Sequence, residues 1–216
     1  MLQTISLRNI CTNRHILTLC MDSLFETIRS VHPLSKADEI FIREHSTPVV
    51  FKKNDYFSEP DLVRERIGFM LEGIMRIVYH DEAMNEVTRY FMREGQFVTD
   101  INKMYDNGMR PPEFIQAVCD CKVIVWKASD IALFEKNIRD WAEIRRKLTE
   151  RAFLEKLAAT NYFSGDATTR YEQFVTRFPD LAQRIPLGFV ASFLGVTQSS
   201  LSRIRRNVAE GMLSSV

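Results

Sequence analysis

The segment from Pro186 to Arg206 constrains the fold of this chain most strongly, because it predicts two short helices joined by a tight turn. The apolar residues of its first half recur at helical spacing: Phe189, Val190, Phe193 and Leu194. Pro186 suits the first position of that helix. Gly195 supplies the turn, where a positive φ is expected, and Thr197 is an N-cap candidate for the second helix.

The second helix of this segment has an apolar face and a polar face. Leu201, Ile204 and Val208 form the apolar face at spacings of three and four. The candidate DNA-contacting residues are Thr197, Gln198, Ser199, Ser200, Ser202, Arg203, Arg205 and Arg206. Together the two helices predict a helix-turn-helix whose second helix lies in the DNA major groove.

The distribution of charge favours this interpretation. The whole chain has a net charge of +1, whereas residues 181–209 contain four arginines and no carboxylate. Positive charge at the second helix suits contact with phosphates, which we expect from Arg205 and Arg206. Gln198 can pair with adenine, and Arg203 can pair with guanine. An ordinary helical hairpin with a solvated arginine face is the alternative.

The composition is that of an ordinary globular protein, since 45% of its 216 residues are hydrophobic and 26% are charged. This suggests one or two domains with a substantial core, and no run of residues predicts a membrane span or a signal peptide. The cysteines form no CxxC pair and are Cys11, Cys20, Cys119 and Cys121. We therefore expect reduced thiols in a cytoplasmic protein, with neither a metal nor a cofactor. A cluster that joins the early and late cysteines is the alternative.

Helical and alternating patterns divide the first half of the chain. Residues 1–20 have little periodicity and are interpreted as an extension, so Met1 and Met21 are both candidate start residues. A helix is predicted from Met21, and Ser35 is expected to cap a second helix. From Thr47 the period changes to two, and short strands are predicted at residues 49–51, 67–71, 74–80, 86–92, 114–118 and 122–127. Short strands at close spacing indicate an antiparallel sandwich or barrel.

A long helical stretch follows the strand-rich region. Ser129 is expected to cap a short helix at Asp130–Lys136, and a helix of residues 138–163 comes next. Its apolar stripe consists of Trp141, Ile144, Leu148 and Ala152. Because a long helix buries such a stripe, we expect a homodimer that pairs these helices. Packing against the protein's own barrel is the alternative. A further helix at Thr168–Phe178 leads into the helix-turn-helix.

The order of these parts resembles that of the Crp–Fnr family of bacterial transcription regulators. In the strand-rich region the resemblance depends on Leu71, Gly73, Arg76, Asp81, Glu86, Gly95 and Phe97. Near the C-terminus it depends on Ile185, Pro186, Ala191, residues 194–197 and residues 201–205. The resemblance implies an α+β fold: an antiparallel, jelly-roll-like β-roll similar to cyclic-nucleotide-binding domains, a long dimerisation helix and a C-terminal helix-turn-helix with little or no wing.

The resemblance also implies a domain division and a set of partners. Residues 21–137 would form the sensor, residues 138–163 the dimerisation helix and residues 164–216 the DNA-binding domain. The expected function is that of a sequence-specific transcription regulator, not an enzyme, which binds a palindromic operator in double-stranded DNA as a homodimer. RNA polymerase and an unknown small-molecule effector are further expected partners.

The expected effector pocket departs from the family pattern. Members that bind a cyclic nucleotide carry a Gly-Glu pair, which holds the ribose, and an Arg-Ser pair, which holds the phosphate. Here the first pair reads Thr99-Asp100 and the second falls near Pro111-Pro112, and proline offers neither a cation nor an N–H group. We therefore expect no cyclic-nucleotide binding. The candidate pocket residues are Arg89, Thr99, Asp100 and Arg110.

Two other classes of protein compete with this interpretation. A cupin-like metalloenzyme needs two or three histidines and a carboxylate inside its barrel, whereas the strand-rich region contains only His80. A sensor or interaction protein without DNA binding is the second alternative. The arginines of the second helix argue against it.

Overall fold

The computed structural model describes residues 21–58, 66–99, 113–160 and 163–213. The strands are β1 Thr47–Phe51, β2 Tyr56–Ser58, β3 Arg66–Glu72, β4 Met75–His80, β5 Glu86–Met92, β6 Phe97–Thr99, β7 Glu113–Ala117 and β8 Cys121–Lys127. The helices are α1 Asp22–Arg29, α2 Lys36–Glu44, α3 Ala128–Asn137, α4 Trp141–Thr160, α5 Ala167–Arg177, α6 Pro179–Arg184, α7 Leu187–Leu194 and α8 Gln198–Leu213. None of these described helices is long and apolar enough to cross a membrane.

The strands form a roll of two four-stranded antiparallel sheets, which confirms the fold class predicted from the sequence. The first sheet has the order β1-β8-β3-β6, and the second has the order β2-β7-β4-β5. β2 and β6 were not predicted, because strands of three residues are too short to show a period of two. The other strands lie within two residues of their predicted positions.

The inner faces of the two sheets pack against each other and fill the roll with apolar side chains. The buried cluster between them includes Phe51, Phe57, Met70, Met75, Ile77, Tyr90, Met92, Val98, Ile115 and Val123. Because neighbouring residues of a strand face opposite sides, each sheet also has an outer face that other elements must cover.

Helices cover the outer face of the first sheet. Side chains of α1, α2, α3 and the first turn of α4 pack there, in a cluster that includes Leu24, Phe25, Ile28, Ile42, Phe69, Ile124, Trp126, Phe134 and Trp141. Ser35 caps α2 as the sequence predicts, since its hydroxyl accepts the N–H of Asp38 at 3.1 Å. The first sheet is therefore covered by two helices that precede the strands in the sequence and by two that follow them.

The helices α5–α8, which we call the C-terminal bundle, cover the outer side of the second sheet. The buried cluster there includes Ile74, Phe91, Val118, Phe174, Leu181, Ile185, Val190, Ala191, Leu194 and Leu201. β5 is an edge strand of the second sheet, and α7 packs against it. The bundle therefore protects an edge whose backbone groups would otherwise be open to other strands.

The starts of α3 and α4 differ from the predictions, and each difference has a local cause. α3 begins one residue before Ser129, because the carboxylate of Asp130 accepts the N–H of Lys127 at 2.8 Å and starts the helix earlier. α4 begins at Trp141 rather than at residue 138, because Asp140 has a φ of +62° and interrupts the helical backbone. α4 ends at Thr160, and residues 161–162 lie outside the described residues.

We expect Gly73→Ala to destabilise the roll more than the control variant Gly95→Ala. Both glycines have a positive φ, +102° and +80°, where an L-residue costs about 1–2 kcal/mol. A Cβ at Gly73 would also lie 2.7 Å from the Asp120 carbonyl and from the Cys121 Sγ, whereas one at Gly95 meets nothing within 4 Å.

Urea unfolding measures the difference between these two variants. Overpacking should lower the free energy of unfolding of Gly73→Ala by about 1–3 kcal/mol more than that of Gly95→Ala. Equal losses in the free energy of unfolding would show that Asp120 and Cys121 shift enough to accommodate the added Cβ.

Candidate nucleic-acid interface

α7 and α8 form the predicted helix-turn-helix, with Gly195 at the turn. Gly195 has φ +68° and ψ +38°, a left-handed conformation that glycine adopts without strain. Thr197 caps α8, since its hydroxyl accepts the N–H of Ser200 at 3.2 Å. Pro186 differs from its prediction: with φ −54° and ψ 135° it precedes α7 instead of forming its first residue.

α8 has a buried side and an exposed side, but Ile204 and Val208 of the predicted apolar face are only half-buried. Leu201 is fully buried on the side that faces the rest of the C-terminal bundle. The exposed or half-exposed residues of the other side are Thr197, Gln198, Ser199, Ser200, Ser202, Arg203, Arg205 and Arg206. α8 continues to Leu213, and no strand follows it within the described residues.

The arginines of α8 are free to contact a partner. In the part of the chain that the structure describes, none of Arg203, Arg205 and Arg206 forms a salt bridge. Arg184 does not add to this positive face, because its Nη1 donates to Oε2 of Glu94 in the roll at 3.1 Å. Burial raises the pKa of Glu94, but hydrogen bonds, led by that of Arg184, hold the pKa below its usual value.

Two residues that sequence analysis missed shape the turn and the exposed face. Arg170 of α5 donates from Nε to the carbonyl of Leu194 at 3.1 Å and from Nη1 to that of Gly165 at 2.8 Å. It thereby provides a cationic partner at the end of α7, where carbonyls lack helical partners. Gly188 lies so close to Gln198 that a Cβ on it would be 3.0 Å from the Gln198 Oε1. Neither contact could be predicted from the sequence, because each joins residues of two different helices.

Ser192 of α7 joins the helix-turn-helix to the open edge of the second sheet. The N–H of Thr88 in β5 donates to the Ser192 Oγ at 2.9 Å. The Ser192 hydroxyl in turn donates to the carbonyl of Glu86 at 2.9 Å. One hydroxyl thus satisfies a donor and an acceptor of the edge strand, which would otherwise lack strand partners.

Aromatic contacts extend this junction. We call the junction between the second sheet and the C-terminal bundle the roll–bundle interface. Its residues on the roll are Arg76, Glu86, Thr88, Phe91, Arg93 and Glu94. The guanidinium of Arg76 lies 3.9 Å from the ring centroid of Phe189 in α7. The ring centroids of Phe91 and Phe193 are 5.4 Å apart. The C-terminal bundle is therefore joined to the roll through α7, the first helix of the helix-turn-helix, and through the salt bridges of Arg93 and Glu94 with α6.

The structure describes two of the four candidate effector residues. Arg89 of β5 forms a salt bridge with Glu113 at 3.0 Å, so its guanidinium already has a carboxylate partner inside the protein. Thr99 ends β6 and lines a small cavity. Asp100 and Arg110 lie outside the described residues.

Two cavities of unequal size lie along α4. The smaller cavity has a volume of about 70 Å³, and its lining includes Ile77, Tyr90, Met92, Thr99, Leu148 and Ala152. The larger cavity has a volume of about 440 Å³ and lies where the roll, α4 and the C-terminal bundle meet. Small-molecule sites usually occupy about 300–1,000 Å³, so only the larger cavity has the size of such a site.

α4 turns the expected dimer-interface residues toward its own protomer. Trp141 and Ile144 are buried in the cluster over the first sheet, Leu148 packs against that cluster, and Ala152 lines the smaller cavity. Packing against the protein's own roll, the alternative stated from the sequence, therefore accounts for the burial of Trp141 and Ile144. The opposite face of α4 carries the exposed apolar residues Phe153, Leu154 and Leu157.

Metal-ligating side chains do not cluster in the described residues, where no three His, Cys, Asp or Glu groups could hold an ion together. The ring of His80 packs edge-on against a phenylalanine ring of β7, with centroids 5.4 Å apart. Cys119 and Cys121 are free thiols, and burial raises the pKa of Cys121 to about 12. Cys11 and Cys20 lie outside the described residues.

A roll joined by a long helix to a helix-turn-helix bundle is an architecture shared with known regulators. No protein-family model and no curated protein sequence match the chain. Its structure is similar to that of a protein from Eubacterium rectale assigned to the Crp/Fnr family of transcriptional regulators, with a TM-score of 0.62, 14% identity, and coverage of 82% of this chain and 85% of that one.

Two further solved structures are similar. One is the c-di-GMP responsive global regulator CLP of Xanthomonas campestris, with a TM-score of 0.62, 13% identity, and coverage of 82% of this chain and 93% of that one. The other is FixK2 of Bradyrhizobium japonicum, with a TM-score of 0.58, 15% identity, and coverage of 77% and 85%. The resemblance stated from the sequence is therefore confirmed at the level of the fold.

We expect Ser192→Ala to loosen the roll–bundle interface without changing the exposed face of α8. The variant removes the hydroxyl partner of the Thr88 N–H and of the Glu86 carbonyl. Leaving these groups unsatisfied should cost about 1–3 kcal/mol. Amide hydrogen exchange at Thr88 should therefore become faster.

Ser199→Ala is the matched control for this experiment, because Ser199 is an exposed serine on α8. It should leave exchange at Thr88 unchanged. Unaltered exchange in Ser192→Ala would mean that water replaces the serine hydroxyl at the edge of β5.

Proposed function

We propose that this chain is a sequence-specific DNA-binding transcription regulator and that α8 reads the DNA. The observation that carries the proposal is the exposed face of α8, where Arg203, Arg205 and Arg206 have no carboxylate partner among the described residues. A cationic helix backed by a buried apolar face suits the major groove and its flanking phosphates. The regulators with a similar fold support this assignment.

We assign different tasks to the residues along α8. Gln198 lies at the first turn, where it can pair bidentately with adenine, and Arg203 lies further along the exposed face, where it can pair with guanine O6 and N7. Arg205 and Arg206 contact phosphates. The short side chains Ser199 and Ser202 reach either a base edge or a phosphate.

We further propose a homodimer that pairs the outer faces of α4. Phe153 and Leu154 are 59% and 55% exposed, although both are large apolar residues. The opposite face of α4 is already packed against the roll, so the outer face is the one open to a second copy. A two-fold pairing of the helices would bury this patch. It would also place two copies of α8 about 34 Å apart, in successive major grooves of a palindromic site.

The proposed regulator does not respond to cyclic AMP or cyclic GMP. Among the described residues, apolar side chains fill the roll, and the cavity that Thr99 lines has a volume of only about 70 Å³. The guanidinium of Arg89 is paired with Glu113, a residue that is 9% exposed. A ligand phosphate would have to displace that carboxylate and leave it buried without a partner, which is costly.

Arg203→Ala should change base preference, whereas Arg206→Ala should only weaken binding. Loss of a bidentate contact to guanine costs about 1–3 kcal/mol and relaxes the preference at one position of each half-site. Loss of a phosphate contact weakens all sequences alike and flattens the slope of log affinity against log salt by about one unit. Binding to a randomised DNA library at two salt concentrations measures both effects.

Arg139→Ala is the matched control for the DNA experiment, because the Arg139 side chain is 95% exposed and lies outside the C-terminal bundle. It should change neither base preference nor salt slope. If Arg206→Ala alters base preference and Arg203→Ala does not, α8 is rotated in the groove relative to our placement. If neither variant affects DNA binding, α8 is not the reading helix.

Leu154→Glu should dissociate the proposed dimer. Each copy would bring a carboxylate to the seam, and burying unpaired charges there should cost several kcal/mol. Ile40→Glu is the matched control, since Ile40 is 57% exposed but lies on α2. Sedimentation velocity at micromolar concentration should show a monomer for Leu154→Glu and a dimer for Ile40→Glu. A stable Leu154→Glu dimer would place the seam elsewhere.

A further inference from the structure

The larger cavity lies outside the filled roll, at the junction of three parts of the fold. Its walls are built from residues 93–96 between β5 and β6, residues 151–159 of α4, and residues 174–193 of the C-terminal bundle. Its volume of about 440 Å³ is sufficient for a small organic molecule. An occupant that fills the cavity would contact all three parts.

One wall of the cavity is aromatic. The ring centroid of Phe174 lies 5.9 Å from that of Phe178 and 5.8 Å from that of Phe193. On the α4 side the lining includes Ala158 and Ala159, which are small and leave the space between helix and rings open. A planar aromatic ring suits this wall, because aromatic groups pack favourably edge-to-face and offset against one another.

The other wall holds a connected set of polar groups. Glu155 of α4 accepts hydrogen bonds from Arg151 Nε at 2.9 Å and from Gln96 Nε2 at 3.1 Å. The Gln96 Nε2 also donates to the hydroxyl of Tyr90 at 3.3 Å. Tyr90 is only 9% exposed, and its own hydroxyl hydrogen has no acceptor among the described residues. This wall therefore offers a buried donor to a ligand.

The lining of the cavity contains more cationic than anionic side chains. Its charged lining residues are Arg93, Glu94, Arg151, Glu155 and Arg177. Two of them form salt bridges with residues outside the lining, Arg93 with Asp180 and Glu94 with Arg184, and those two partners have opposite charges. By residue type, the lining itself contains three guanidinium groups and two carboxylates. Guanidinium groups bind carboxylates and phosphates in charge-assisted hydrogen bonds.

We propose that this cavity binds a small aromatic molecule that carries one anionic group, either a carboxylate or a phosphate. The ring lies against the three phenylalanines and Ala158, and the anionic group accepts hydrogen bonds from the guanidinium groups and the Tyr90 hydroxyl. Such a ligand stabilises the arrangement of roll, α4 and C-terminal bundle in which the cavity exists. Its role in controlling DNA binding rests on the proposed function, whereas its binding does not.

Two fluorescent probes test the class of ligand, because they share one aromatic skeleton and differ by a single sulfonate group. They are 1-anilinonaphthalene-8-sulfonate and its uncharged analogue N-phenyl-1-naphthylamine, and both become fluorescent in an apolar environment. In titrations of the full chain, the sulfonate should bind at one site per chain and more tightly than the uncharged probe. Arg177→Gln should weaken the sulfonate about tenfold, which corresponds to about 1.4 kcal/mol, and leave the uncharged probe unchanged.

A second variant tests the place of binding. Ala158→Phe fills the cavity from α4 and should weaken both probes at least about tenfold, since it removes the space that either ring needs. Arg139→Gln makes the same chemical change as Arg177→Gln at an exposed arginine outside the cavity, so both affinities should stay unchanged. If Ala158→Phe does not fold, the exposed position Arg177 still separates the two probes.

Three results would overturn the proposal. They are equal affinity for the two probes, sulfonate binding that survives both cavity variants, and sulfonate binding that Leu154→Glu abolishes, which would move the site to the outer face of α4. The titrations contain no DNA, so their failure leaves the DNA-binding proposal standing. Conversely, one sulfonate site per chain in a protein that binds no DNA would refute only the proposed function.

Discussion

The buried guanidinium of Arg76 is the interaction on which the arrangement of the roll and the C-terminal bundle depends. Arg76 is 2% exposed, and an unpaired cation at that depth would be costly. Gln116 of β7 accepts from its Nε at 3.0 Å and from its Nη2 at 2.7 Å, Thr88 of β5 accepts from its Nη1 at 3.2 Å, and Glu86 forms a salt bridge with it. The ring of Phe189 covers the guanidinium at 3.9 Å. One side chain therefore ties β4 to both of its neighbouring strands, and α7 completes its surroundings.

Features that depend on neighbours in the sequence were predictable, and features that depend on distant contacts were not. The turn at Gly195 and the cap at Thr197 involve only the next few residues, so the sequence alone indicates both. The longer strands likewise show their alternation. Arg170 differs, because the carbonyl that it holds belongs to Leu194, 24 residues away, and no periodicity connects the two. The same reason explains why Ser192 was not recognised as the partner of β5.

α4 shows why the candidate site could be predicted only in part. It carries apolar residues on two opposite sides. The inward set is Trp141, Ile144 and Leu148, and the outward set includes Phe153 and Leu154. Both sets have helical spacing, so the pattern predicts burial without saying which side the protomer covers by itself. Tertiary contacts determine which side is buried. Phe134 of α3 packs against Trp141 with ring centroids 5.0 Å apart, and the inward set belongs to the buried cluster over the first sheet.

β5 connects the interior of the roll to the helix-turn-helix through the alternation of its side chains. Tyr90 and Met92 face the filled interior, while Phe91 between them packs against Phe193 of α7. Because Tyr90 and Phe91 are consecutive residues of one strand, a movement of the β5 backbone at Tyr90 would also move Phe91 and disturb its contact with Phe193. Tyr90 lines both cavities, and Phe193 lines the larger one. Packed side chains thus connect a ligand beside Tyr90 to α7. If the ligand binds two arrangements of the roll and the C-terminal bundle with different affinities, it shifts the population toward the arrangement that it binds more tightly.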